Sequence, residues 1–284
     1  MSELFKDKKT FNSDISDWDT SNVTDMNNMF RSARKFNQPL TTDGNKWNTS
    51  NVTDMNYMFS STYVFNQDIS DWDTSSVTDM NHMFRSARKF NQPLTTNGNK
   101  WNTSNVTDMN YMFSSAYVFN QDISGWDTSS VTDMNHMFEY TIKFNQDISD
   151  WDTSNVTDMN YMFHSTREFN QPLNTDGNKW NVSNVTDMNS MFMDAREFNQ
   201  DISDWDTSNV TDMKDMFDYA EEFNQDLRYW NVCNAKNRQD QFTNDNSLLN
   251  RNDYIPYFAH RKTIYDDNGD ERLVVVHPNL AVCA

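Results

Sequence analysis

The spacing of the tryptophans constrains this chain more than any other feature. All nine fall in one series, Trp18, Trp47, Trp72, Trp101, Trp126, Trp151, Trp180, Trp205 and Trp230, in steps of 25 or 29 residues. A Phe-Asn pair keeps time with them, from Phe11-Asn12 to Phe223-Asn224. Each Trp stands 18 residues before the next such Phe, while Phe to Trp is 7 or 11. All length variation is thus a four-residue insertion before Trp47, Trp101 and Trp180, around a Gly-Asn-Lys turn. Lengthening a loop by four residues costs little closure entropy, so the core can stay in register. One unit cannot bury its apolar face alone, and neighbours must stack on it. The chain therefore reads as one continuous array.

The unit from Phe65 to Ala87 predicts its own local structure. From Met80 onward, Met80, Met83, Phe84 and Ala87 follow the i, i+3, i+4, i+7 spacing of one helix face. Thr78-Asp79 reads as an N-cap with a first-turn acid. Phe65 to Ile69 reads as a brief strand, followed by a Ser-Asp-Trp-Asp-Thr-Ser turn. The expectation is an α/β fold, a curved solenoid of about nine strand-turn-helix repeats over residues 11–242. Strands stack more closely than helices pack, so the strand face becomes concave. The Asn after each Phe would form a column satisfying buried backbone groups. Residues 1–10 read as a half-repeat cap, because Met1, Leu4 and Phe5 precede Phe11 as Met26, Met29 and Phe30 precede Phe36. The ninth unit decays: Ala235 replaces Val, and Arg238 and Gln241 replace the two Met. Residues 243–284 read as a C-terminal cap or docking segment. Within it, Lys262–Tyr265 and Arg272–His277 form a β-hairpin around Asn268-Gly269.

Charge and composition exclude several roles. There are 42 acidic and 23 basic residues, a net charge of −19, which makes nucleic acid or an anionic membrane a poor partner. No apolar run approaches the ~18 residues of a membrane span, and the first residues lack the apolar segment of a secretory signal. The expected location is intracellular or within a virion, without membrane insertion. Cys233 and Cys283, the two cysteines, are expected as reduced thiols.

The unit Phe65-Asn-Gln-Asp-Ile-Ser-Asp-Trp-Asp-Thr-Ser-Ser-Val-Thr-Asp-Met-Asn-His-Met-Phe84 resembles the BspA-type leucine-rich-repeat surface proteins. These also form a domain family of unknown function in mycoplasma and other bacterial lipoproteins, and similar arrays occur in large DNA viruses. The resemblance spans roughly residues 1–242. It implies a leucine-rich-repeat-like solenoid and, for function, adhesion or protein–protein contact, with no catalytic motif. This chain lacks the signal or lipobox cysteine of the bacterial surface members, which favours an intracellular or virion setting.

Several residue series are candidates for chemistry. Asp25, Asp54, Asp79, Asp108, Asp133, Asp158, Asp187 and Asp212 recur without exception. Stacked carboxylates could hold Ca²⁺, but the favoured reading is an acid at each helix N-terminus. A second series follows each Trp, from Asp19 to Asn231, with Asn in every long repeat, as if to relieve like-charge repulsion. Asp266 to Glu271 reads as a turn rather than a calcium loop. Six of the nine sequons are Asn-Val-Thr and come with the repeat. The five histidines are scattered, and no phosphate loop or nucleophile elbow is present. No catalytic residue, cofactor or metal is expected, and the chain is read as no enzyme.

Residues 31–84 and 85–138 are identical at all but three of 54 positions. Copying two repeats would displace a composite active site but merely multiplies a binding surface. The outer face of the expected helices presents Tyr57, His82, Tyr111, His136 and Tyr161 in alternation, a candidate partner-contact stripe. Val274, Val275 and Val276 form an apolar strand edge that must be capped or paired with a partner. The reading is a non-enzymatic structural or protein–protein interaction scaffold, with a virion or other large assembly among its settings. A cell-surface adhesin and a calcium-dependent binding module are the alternatives.

Overall fold

The architecture comes from a computed structural model that describes residues 1–41, 47–95, 101–173, 175 and 179–235, and the backbone of two strands near the C-terminus. The repeats stack as expected, but the coils are built differently. Among the described residues there is no helix, and strand is confined to the two segments near the C-terminus. The expected α/β strand-turn-helix solenoid of leucine-rich-repeat type is therefore incorrect. The curvature argument, which rested on helices being wider than strands, falls with it.

The extended part of each coil is one residue deep. The recurrent Asp makes an isolated parallel bridge to its counterpart in the next coil, unbroken from Asp25 to Asp212. The Thr before it donates its N–H backwards, as Thr78 does to the carbonyl of Thr53 at 3.0 Å. The Met after it donates forwards, as Met26 does to the carbonyl of Asp54 at 3.0 Å.

The segment that looks helical then splits its backbone donors two ways. In Met26 to Ala33, the N–H groups of Met26, Asn28, Phe30 and Ser32 reach the carbonyls of Asp54, Asn56, Met58 and Ser60 in the next coil. Those of Met29, Arg31 and Ala33 close turns onto Met26, Asn28 and Phe30, three residues back. A helix would use these donors internally and leave the coils unlinked. Chained turns put residues 26, 29, 30 and 33 on the inside just as a helix would, so the apolar spacing alone does not separate the two.

The turns require left-handed backbone at two places per coil. Asn28 and Ser32 have φ of 55° and 60°, and the pair recurs through Tyr57/Ser61 and His82/Ser86 to Asp215/Tyr219. A positive φ at the third position of a four-residue turn is the type II geometry that glycine normally supplies. No glycine stands at these positions, and the inter-coil hydrogen bonds offset the cost of each.

Side chains continue the stacking. Phe30, Phe59, Phe84 and their equivalents form one column with centroids 5.5–5.8 Å apart. The Phe of each Phe-Asn pair forms a second, at 5.6–6.1 Å. Trp rings separated by 25 residues stack at 6.0–6.4 Å. Each indole from Trp47 to Trp230 donates to an Ile or Leu carbonyl of the preceding coil, as Trp126 does to Leu94 at 2.9 Å. The Asn column exists and is a ladder: Oδ1 of Asn12 accepts the N–H of Asn37, and so on to Asn199 and Asn224, each at 2.8–2.9 Å.

At the start of the chain, Glu3, Phe5 and Asp7 donate to the carbonyls of Asn27, Met29 and Arg31, and Glu3 and Asp7 carry the same positive φ as Asn28 and Ser32. Near the end, β1 (Arg261–Tyr265) pairs antiparallel with β2 (Glu271–Val275), with Lys262 opposite Val274. These are the strands of the expected hairpin; its turn, Arg238, Gln241 and Val276 lie outside the described residues. Cys233, expected as a thiol, is disulfide-bonded; Cys283 lies outside the described residues.

Candidate functional site

The five residues of the expected contact stripe come together in one column. Ring centroids of Tyr57, His82, Tyr111, His136 and Tyr161 are successively 4.1, 4.5, 4.1 and 4.7 Å apart, near parallel. They lie on a corner of the coil, each in left-handed backbone with φ of 53–55°. That geometry turns the side chains out of the core and directly over one another. Faces are spent on stacking, and the half-buried rings offer their edges.

Charged neighbours flank the column. Arg31 lies over the ring of Tyr57 at 4.7 Å, and Arg85 over Tyr111 at 5.1 Å, as cation–π pairs. Nδ1 of His82 and of His136 face the amide oxygens of Asn81 and Asn135 at 3.2 and 3.1 Å. Burial among rings, with Arg85, Arg31 and His136 nearby, pushes His82 down from 6.5 to about 4. His136 is also lowered, chiefly by burial, against the opposing pull of Glu139. At the far end Tyr161 meets His164 edge-on at 5.3 Å, and Nδ1 of His164 lies 3.7 Å from Glu139. Burial alone would raise the Glu139 carboxyl, but His164, the Ser114 hydroxyl at 2.9 Å and His136 hold it low.

A second column alongside was not anticipated. Arg34 stacks on Tyr63 at 5.0 Å, and Arg88 lies over both Tyr63 at 4.3 Å and Tyr117 at 5.7 Å. The signal was available: one repeat position alternates Arg, Tyr, Arg, Tyr across four successive units.

The Asp series has a role other than the one expected. With no helix to cap, each carboxylate bends back to its own chain, Oδ1 accepting the N–H two residues on at 2.8–2.9 Å, from Asn27 to Lys214. These are Asx turns. The series after each Trp does the same for the residue two on, as Asp19 does for Ser21 at 2.9 Å and Asn231 for Cys233 at 3.2 Å. Burial, with like-charged neighbours above and below, raises Asp54 and Asp108 and pushes Asp158 up from 3.8 to about 6, although each accepts a lowering backbone hydrogen bond. Among the described residues no three His, Cys, Asp or Glu side chains converge as a metal site.

Two of the hollows on the surface are lined by described residues. One of about 290 Å³ is lined by Asp122, Ser124, Gln146, Asp147, Ser149 and Asp150. The other, about 360 Å³, lies among Tyr140, His164, Arg167, Asp194, Arg196 and Tyr219. There Asp194 binds Arg196 at 2.7 Å and Arg167 at 2.9 Å, which holds its carboxyl low against the effect of burial. Of the valines at the C-terminal edge, Val274 and Val275 lie in β2. No described helix is long and apolar enough to cross a membrane.

No curated protein and no solved structure matches this chain. A family model does match, over residues 1–98, 94–178 and 172–254, and its description is a Mycoplasma protein of unknown function, DUF285. Three tandem matches cover most of the chain, so this protein belongs to the DUF285 repeat family.

Proposed function

We propose that the protein is a non-enzymatic scaffold that presents a repeated contact stripe to protein partners. The observation that carries this reading is the Tyr57–Tyr161 column flanked by Arg31 and Arg85. Tyr and Arg are enriched at protein interfaces, and Tyr gives large contact area at little conformational cost. Stacking fixes their rotamers in advance, which lowers the entropy lost on binding. The near-identical halves 31–84 and 85–138 double the stripe rather than diversify it, as suits multivalent contact in a large assembly such as a virion. The resemblance of the unit to BspA-type surface repeats supports a contact role in the same sense.

The test is cross-linking of the protein in its native setting. It compares wild type with Tyr57/Tyr111/Tyr161→Phe, which keeps the stack, and Tyr57/Tyr111/Tyr161→Ser, which removes it. A neighbour lost from the Ser variant while the melting transition persists supports the reading. Every neighbour retained by that variant refutes it.

A further inference from the structure

One corner of the coil carries a charge gradient that the net charge conceals. It consists of the five residues that follow the core-facing Phe of each turn segment: 6–10, 31–35, 60–64, 85–89, 114–118, 139–143, 164–168, 193–197 and 218–222. A continuous backbone ladder holds these nine segments side by side, as Ser32 to Ser60 at 2.8 Å, Ser115 to Glu139 at 2.7 Å and Asp194 to Asp218 at 2.7 Å. The first five segments hold nine basic residues and one acidic; the last four hold three basic and seven acidic. Six large apolar or aromatic side chains are exposed among the described residues, and four lie on this corner: Tyr117, Val118, Tyr140 and Tyr219. Tyr117 and Val118, 37 % and 41 % exposed, belong to the fifth segment, the midpoint of the strip.

We propose that two copies of this chain pair side by side and antiparallel along this corner, about a two-fold axis near Tyr117 and Val118. The inference rests on the contact reading above and names the partner. A two-fold places each segment against its mirror position along the strip. The first segment, with Lys8 and Lys9, then faces the ninth, with Glu221 and Glu222. The second, with Arg34 and Lys35, faces the eighth, with the exposed Glu197. The apolar midpoint meets itself. A parallel arrangement would set basic against basic and acidic against acidic. Nine segments at the ~4.8 Å spacing of stacked backbone give a strip ~40 Å long. At a width of ~12 Å two such strips bury ~1,000 Å², the lower bound for a specific interface. The pairing is accordingly salt-sensitive.

Sedimentation velocity of the full chain, up to about 100 μM at low and high salt, tests this. The proposal expects a dimer at low salt that dissociates as salt is raised. Lys8→Glu with Lys9→Glu should abolish it, and so should Glu221→Lys with Glu222→Lys. Because the pairing is reciprocal, mixing these two variants, or combining all four changes in one chain, should restore it. Val118→Asp, which sets two carboxylates face to face at the axis, should abolish it independently. All these side chains are exposed, and unchanged melting curves confirm that each variant folds. A monomer under every condition overturns the proposal, as does failure of the combined variant to restore pairing. A monomer that still keeps a neighbour sensitive to the tyrosine substitutions overturns self-pairing and leaves the scaffold reading standing.

Discussion

Replacing Ser115 by glycine has opposite effects on a turn-built coil and on a helix. Ser115 holds φ at 59° while its N–H donates to the carbonyl of Glu139 at 2.7 Å. Holding an L-residue there costs roughly 1–2 kcal/mol, which glycine avoids. Glycine forfeits roughly 0.5–1 kcal/mol of chain entropy on folding. The balance is a gain of about 0.5–1 kcal/mol for Ser115→Gly. Ser61 occupies the same position two coils away, with φ of 59°, so the two changes should add. Within a helix interior each would instead cost up to about 0.5–1 kcal/mol. Ser115→Val serves as the control, because a β-branched residue at positive φ is strongly disfavoured, and about 2 kcal/mol should be lost. Urea denaturation of the three variants, followed by tryptophan fluorescence, reads all of this. A loss of stability in Ser61→Gly/Ser115→Gly would refute the turn geometry.

Trp126→Ala should cost about 3–5 kcal/mol, since the ring is buried between Trp101 and Trp151 and donates to Leu94; an unchanged melting curve would contradict the stack. Asn91→Ala leaves the N–H of Asn120 without its acceptor and should cost about 1–3 kcal/mol, measured by the same denaturation. Asp158 stands near 6 in the fold against 3.8 unfolded, so its ionisation opposes folding at neutral pH and this penalty is relieved as pH falls through 6. Asp158→Asn keeps the Asx turn and should raise the melting temperature at pH 7, with the advantage vanishing near pH 4. His82 stands near 4 against 6.5, so the unfolded chain takes up the proton first and stability is lost as pH falls from 6.5 towards 4; His82→Phe should remove that component. A chelator should leave the melting temperature unchanged, and a large drop restored by Ca²⁺ would return the Asp column to ion binding.

The stacking order was legible in the sequence because tryptophan, Phe-Asn and Asp positions recur at fixed distances, and such columns leave few ways to align neighbouring units. The local conformation was not legible. Met80, Met83, Phe84 and Ala87 fit a helix face and a chain of turns equally well. The deciding information lay in His82 and Ser86, whose φ of 55° and 57° would normally be announced by glycine. Asn28, His82, His136, Asp194 and Asp215 were the local hints, being residue types that tolerate left-handed backbone, but Tyr and Ser hold the same positions in other coils. The Asp series reads as structural in the sequence but with the wrong partner, because an acid at a helix N-terminus and an Asx turn, whose carboxylate accepts the N–H two residues on, use the same side chain in the same place. The Tyr and His stripe was found because its residue types change while everything around them stays constant. The Arg34–Tyr63–Arg88–Tyr117 column carried the same signal one turn later and was overlooked, since its exposed residues resemble an ordinary solvated face.

The central claim is that backbone donors in the Met-Phe segment run between coils rather than along a helix. Scalar couplings across hydrogen bonds, measured by NMR on isotope-labelled protein, report each donor with its acceptor. The fold described here predicts a coupling from the amide of Phe84 to the carbonyl of Met112, 2.9 Å apart, and likewise from Phe113 to Met137. A coupling from Phe84 to the carbonyl of Met80, the partner a helix would use, would contradict it.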